Sequence, residues 1–481
     1  MKTELKNVDE QLIDVFSQLP DDFWDFKNAD TKELTHSIHN YPAVMVYPIS
    51  RNIISKVKSM QDIKVLMDPF MGSGTVLLEG LLAGCEKIYG NDLNPLAQKI
   101  SKAKTTVLQN NFETAATRLM ANIEEKYFTY NAILEEVSDY VNGLGMDITA
   151  KIGDKENWGA KADIILNEYL EMRNADMRIK PIQSLGFWFV PRCIIELQII
   201  QDAIAQIKDD AIRDYFMISF SETTRLVSNR RNGEFKMYRM EAEKVKKYNP
   251  DVKKTFFDIL KNNVEKMKSL QERVEGLKLG DVVLSADDAK ILSKVPDDSV
   301  DIVVTSPPYG DSRTTVAYGQ FSRVSLQWCD FDKLSYKEII DIDKNLMGGT
   351  QYKKGFENNL CSPVLQEALK EICTCEENLE RAGDVYSFYK DLQDILERVT
   401  QKCRKNSYQF WVVGNRTVKN VNLRTDEILV ELGKNLGLHH VMTMGRSISN
   451  KVMPSLNSPT NEAGKKVKTM CEELIVVLRK E

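Results

Sequence analysis

Ser306-Pro307-Pro308-Tyr309 gathers a hydroxyl, carbonyls that no proline N–H competes for, and an aromatic face. These groups suit holding an amino group and stacking a flat ring. A second stretch, Asp68-Pro69-Phe70-Met71-Gly72-Ser73-Gly74-Thr75, offers a different chemistry. Gly72 and Gly74 permit a tight turn and a close backbone approach to a ligand. Asp68 can accept hydrogen bonds from an ammonium group, whereas a phosphate would be repelled there. The G-x-x-x-x-G-K spacing of a phosphate-binding loop is absent. Asp92 follows about 20 residues after the turn, where an acid commonly takes ribose hydroxyls. Turn and flanking acids together point to a nucleoside-bearing cofactor.

Both stretches need rigid supports. Val300–Val304 is mostly β-branched and predicts a short buried strand, which the prolines must end. That leaves the Ser306 loop at a strand's carboxyl end, where open α/β sheets bind ligands. Lys64–Met67 predicts the strand before the glycine turn, with a helix from Val76 to Ala83 after it and a strand over Lys87–Asp92. Further strands are expected at Leu279–Val283, Ser407–Val413 and Glu472–Leu478. Helical spacing dominates 105–265, with helices at Leu197–Ile207 and Ile212–Val227. The second helix runs into a basic, amide and aromatic mixture carrying Arg225, Asn229, Arg230, Arg231, Lys236 and Arg239. Such a mixture suits phosphates and bases, although a solvated helix end is the plainer reading. Arg313 and Arg323, just beyond the Ser306 loop, are further candidates for a phosphate contact.

Composition removes several classes. With 481 residues, 42% hydrophobic and 28% charged, the chain reads as a globular protein of two or three lobes. No apolar run approaches the ~20 residues of a membrane span, and the polar start is no signal peptide. Eight scattered cysteines make no disulfide framework, and reduced thiols suit the cytoplasm. Four histidines and the lone Cys373-x-Cys375 give no metal-ligand set, and loop hydrogen bonding is the better reading of His36 and His39. The net charge of −5 leaves nucleic-acid binding to local basic patches, found at 225–254 and 401–481.

Asp68-Pro69-Phe70-x-Gly72-Ser73-Gly74-Thr75 together with Ser306-Pro307-Pro308-Tyr309 resembles the S-adenosylmethionine-dependent amino-methyltransferases of DNA, which make N4-methylcytosine or N6-methyladenine. Most of the likeness lies in 36–104 and 280–328, with a looser share in 386–481. It implies an α/β fold: a Rossmann-like class I methyltransferase mixed sheet with a large helical insertion as a second lobe. It further implies that Tyr41, Pro42, Asp68, Phe70, Gly72, Ser73, Gly74, Thr75, Asp92, Asp288 and Thr305 hold S-adenosyl-L-methionine, with Asp287 a rival to Asp288. The catalytic loop is then Ser306, Pro307, Pro308 and Tyr309, with Ser306 and the Pro307 carbonyl accepting from the target amine and Tyr309 stacking on a flipped-out base.

A serine before Pro-Pro-Tyr is usual among relatives acting on cytosine N4, and an Asp or Asn among those acting on adenine N6. Double-stranded DNA is the expected partner, with a restriction endonuclease for the same site implied by the family. The absence of a Pro-Cys pair argues against methylation at carbon 5 of cytosine. Alternatives are adenine N6, an RNA or tRNA base, and a non-enzymatic binder with a dead cofactor site. The expected division is 1–30 lead-in, 31–110 cofactor half, 111–265 helical recognition insertion, 266–328 catalytic half, 329–385 second insertion and 386–481 closing part.

Overall fold

The computed structural model describes residues 7–481 apart from 110, 151–156, 232–234, 312–315, 350–359, 449–455, 458–466 and 469–471. Its centre is a seven-stranded sheet. In chain order the strands are β1 (Val65–Asp68), β2 (Lys87–Asn91), β3 (Asp281–Ser285), β4 (Val300–Thr305), β5 (Cys403–Val413), β6 (Leu438–Ser447) and β7 (Glu472–Lys480). They lie in the order β3-β2-β1-β4-β5-β7-β6. The first five pair in parallel, while β7 runs antiparallel to both β5 and β6. The order reverses at β1, so the carboxyl ends of β1 and β4 flank the crevice that a doubly wound sheet leaves for a ligand.

Strand alternation builds two cores. Leu66, Ile302, Val304, Phe410 and Ile475 face one side with the Tyr47–Lys58 and Thr75–Leu82 helices. Met67, Val303, Trp411 and Val476 face the other, under the Leu379–Lys402 and Thr425–Lys434 helices. β4 is buried along its whole length, as its β-branched run requires.

A third core belongs to a helical lobe between β2 and β3. It includes the helices Phe112–Thr129, Asn131–Gly143, Trp158–Met172, Pro191–Ala205, Asp210–Leu226 and Val252–Val274. The last of these runs past the boundary expected at 265. Trp188 and Phe189 are buried here. The expected strands and helices all occur, with ends displaced by a few residues. β6, the Arg416–Val418/Val421–Leu423 hairpin and the Thr425–Lys434 helix had no counterpart in the sequence reading.

Candidate active site

β1 delivers Asp68 to a pocket between the glycine turn and the Ser306 loop. Its Oδ1 accepts from the Thr305 hydroxyl (2.7 Å) at the end of β4 and from the Phe70 N–H (3.0 Å). The two strand ends are thus tied through one carboxylate. Oδ2 has no partner among the described residues and is available to a ligand. Burial pushes the Asp68 pKa up to about 7, so the free protein holds much of it protonated at neutral pH.

The glycine turn follows. Gly72 and Gly74 have φ of +47° and +77°. Any Cβ on Gly74 would sit 2.9 Å from the Ser101 Cα, so glycine lets the turn rest on the Pro95–Thr105 helix. Asp92 stitches the turn to β2: its Oδ2 accepts from the Gly72 N–H (3.0 Å) and its Oδ1 from the Asn94 N–H (2.8 Å). Burial raises its pKa to about 6. A carboxylate has about four acceptor sites, so these two bonds leave capacity for ligand hydroxyls. Asn94 packs the pocket's back wall, donating to the Tyr41 hydroxyl (3.1 Å) and to Ser322 Oγ (2.7 Å).

Asp288 reaches the pocket because Asn91 holds its loop. The Asn91 side chain accepts from Ser285 Oγ and the Asp287 N–H and donates to the Asp287 carbonyl. Asp287 itself turns away, accepting from the Ser293 N–H (2.7 Å), so geometry favours Asp288 between the two rivals. Of the remaining residues assigned to the cofactor and catalysis, Tyr41, Pro42, Phe70, Gly72, Ser73, Thr75, Ser306 and Pro308 line the same pocket. Gly74, Thr305, Pro307 and Tyr309 do not. The Tyr309 hydroxyl is pinned to Glu473 Oε1 (2.9 Å) and accepts from the Ser306 hydroxyl (3.3 Å).

The basic stretch requires a correction. Arg225, Asn229 and Arg230 are buried, and all three hold the helical lobe together. The Arg225 guanidinium lies 3.4 Å over the Phe321 ring and donates to the Phe321 carbonyl (3.1 Å). Arg230 donates to the Arg225 carbonyl, and the Asn229 side chain to the Phe187 carbonyl. Arg239 stacks 4.2 Å from the Phe187 ring and donates to the carbonyls of Ile148, Thr149 and Ala150. Their place at a helix end predicts a phosphate contact, but Arg225, Asn229 and Arg230 are buried and backbone carbonyls accept from all four side chains. Arg231 is exposed, and Lys236 and Arg323 are partly so. Arg313 lies outside the described residues.

Several groups here carried no sequence signal. Tyr318, Met347, Asp391 and Ile395 complete the pocket wall from segments distant in the chain. Lys104 lies fully buried beneath the turn, with its amine 3.2 Å from Ser73 Oγ and burial lowering its pKa to about 7. His36 and His39 do serve hydrogen bonding, to Glu79 Oε1 (2.8 Å) and Ser221 Oγ (2.9 Å).

A parallel sheet closed by one antiparallel strand, with a glycine turn after β1 and a Pro-Pro loop after β4, defines a Rossmann-like methyltransferase. The chain is 37% identical over 487 residues to the type II methyltransferase M.MvaI of Kocuria varians, covering 99% of this chain and 98% of that protein. It belongs to the type II methyltransferase family. A second relative, the type II methyltransferase M.MjaII of Methanocaldococcus jannaschii, is 26% identical over 242 residues, 42% of this chain and 43% of that protein. No protein-family model matches the chain. Among solved structures, the rRNA methyltransferase aviRa of Streptomyces viridochromogenes aligns over 92% of this chain and 88% of its own, at 7% identity and a TM-score of 0.30.

Proposed function

We propose that the protein methylates the exocyclic N4 of a cytosine flipped out of duplex DNA, with S-adenosylmethionine as donor. One observation carries the reading: the Ser306 loop and the acid-lined glycine turn share one pocket. The donor fits the residues present. Asp68 Oδ2 suits its ammonium group, Asp92 its ribose hydroxyls, and Asp288 the amino group of its flat ring. Phe70, Met347 and Ile395 supply apolar wall. When bound, the donor supplies an electrophilic methyl group on a sulfonium.

An exocyclic amine is a poor nucleophile because its lone pair is delocalised into the ring. Hydrogen bonds accepted by Ser306 Oγ and the Pro307 carbonyl draw the nitrogen toward sp³ character and aim its lone pair. Ser306 gives its own proton to Tyr309, which leaves its oxygen free to accept. Positioning and electrostatics then supply most of the rate. A base inside a duplex cannot reach this loop, so extrusion costs a few kcal/mol first. Cytosine is favoured over adenine N6 by the serine at 306. The family membership supports a site-specific enzyme working alongside a restriction endonuclease for the same site.

The test is incubation with labelled S-adenosylmethionine and duplex DNA, RNA or tRNA, followed by nucleoside analysis. Label in N4-methylcytosine is expected. Label in N6-methyladenine would move the target to adenine, and label confined to RNA would overturn the DNA reading. Ser306→Ala should abolish transfer while calorimetry shows donor binding intact.

A further inference from the structure

Methylating an amine leaves a proton to remove, and the Ser306 loop holds a route for it. Ser306 Oγ donates to the Tyr309 hydroxyl (3.3 Å), and Tyr309 donates to Glu473 Oε1 (2.9 Å). Every donor in this chain points away from the pocket, toward a carboxylate on β7. The other carboxylate oxygen, Oε2, accepts from Arg446 Nη1 (2.6 Å) on β6. Burial and the neighbouring Glu473 keep the Tyr309 hydroxyl protonated well above the usual phenol range, so it remains able both to accept and to donate. Glu473 is partly buried, with 15% of its side chain exposed, which gives a proton an exit to water.

We infer that Ser306, Tyr309 and Glu473 form a proton relay that carries the surplus amine proton out of the active site. The inference rests on the amine-methylation reading. The new N–C bond forms as the S–C bond breaks; sulfur leaves as a neutral thioether and the nitrogen takes the positive charge. The nitrogen's proton passes to Ser306 Oγ as the serine proton moves to the Tyr309 oxygen and the tyrosine proton to Glu473 Oε1. The products are a neutral methylamine and a neutral carboxylic acid beside Arg446. A protonated exocyclic amine on an aromatic ring is so strong an acid that a carboxylate suffices as the acceptor. Arg446 holds the carboxylate in place at the end of the chain. The arrangement assigns Tyr309 a task at its hydroxyl that is separate from any stacking by its ring.

Glu473→Gln keeps the size and an acceptor oxygen but cannot take a proton. Single-turnover transfer to duplex DNA should fall roughly 10- to 100-fold, the scale of lost general-base assistance. The KM for DNA and the calorimetric affinity for S-adenosylmethionine should stay within about 2-fold of the unaltered protein, as a loss of binding would instead signal a structural role. Deuterium oxide should slow the variant more than the unaltered protein, because proton departure has become limiting. Tyr309→Phe should show the same loss with its ring intact, and the double variant should be no worse than either single one. Full-rate transfer by Glu473→Gln with unchanged sensitivity to deuterium oxide would overturn the relay alone. The unaltered protein is the control: if it labels no DNA amine, the amine reading fails and takes the relay with it.

Discussion

Asp68 carries a conflict between folding and binding. Its carboxyl is buried where its charged form is disfavoured, yet a ligand ammonium would favour that form. The raised pKa means the contribution to stability is fully present below the ordinary Asp range near 4 and is lost as pH rises through about 7. Asp68→Asn keeps the acceptor for Thr305 and removes the charge. We therefore expect the variant to melt higher than the unaltered, unliganded protein at pH 7.5, a gain on the order of 3 kcal/mol, with the gap narrowing by pH 5 and closing only below about pH 4. The same variant should bind S-adenosylmethionine more weakly in calorimetry. An unchanged melting difference across that pH range would show that Asp68 is not desolvated as described.

The glycine turn shows the same logic at the level of elements. The turn works only because the Thr75–Leu82 helix, β2 and the Pro95–Thr105 helix converge on it. Gly74→Ala places a methyl against the Ser101 backbone and a non-glycine residue at φ +77°. Urea unfolding should register a loss of about 2 kcal/mol, and donor binding should weaken as well, since the turn must shift. Asp343 plays a comparable part opposite, accepting from the Gly319 (2.8 Å) and Gln320 (3.1 Å) N–H groups and fixing the helix that carries Tyr318. No local pattern announces such a cap, because its partner lies over 20 residues away.

Across the whole molecule, burial separates the cations that can meet a DNA duplex from those that cannot. Lys236 and Arg323 are both near enough to Asp343 to steady its charge, and the Arg323 helix also places Tyr318 in the pocket wall. Lys236→Ala or Arg323→Ala should each weaken duplex binding and reduce the slope of log affinity against log salt by about 1. Arg225→Ala should leave that slope unchanged. It should instead destabilise the protein by roughly 3 kcal/mol, because it strips Glu222 of one of its buried partners and Phe321 of its cation. A salt slope altered by Arg225→Ala and not by Lys236→Ala would reverse this assignment.

The glycine turn and its flanking acids were legible in the sequence because their determinants are local. A strand end, two glycines at required φ values and acids at strand termini all lie within 68–92, and backbone sterics leave such a run few alternatives. The Pro-Pro stop after β4 was legible for the same reason. Only the tertiary structure decided the rest. It set Asp288 on the pocket wall and turned Asp287 toward Ser293 through an Asn91 bridge between strands, and it tied Arg225, Arg230 and Arg239 to carbonyls of the helical lobe. It also set Glu473 and Arg446, over 130 residues from Ser306, at the end of the Tyr309 chain. A charged residue reads the same in sequence whether carbonyls or water surround it, and only packing supplies the partners that determine what it does.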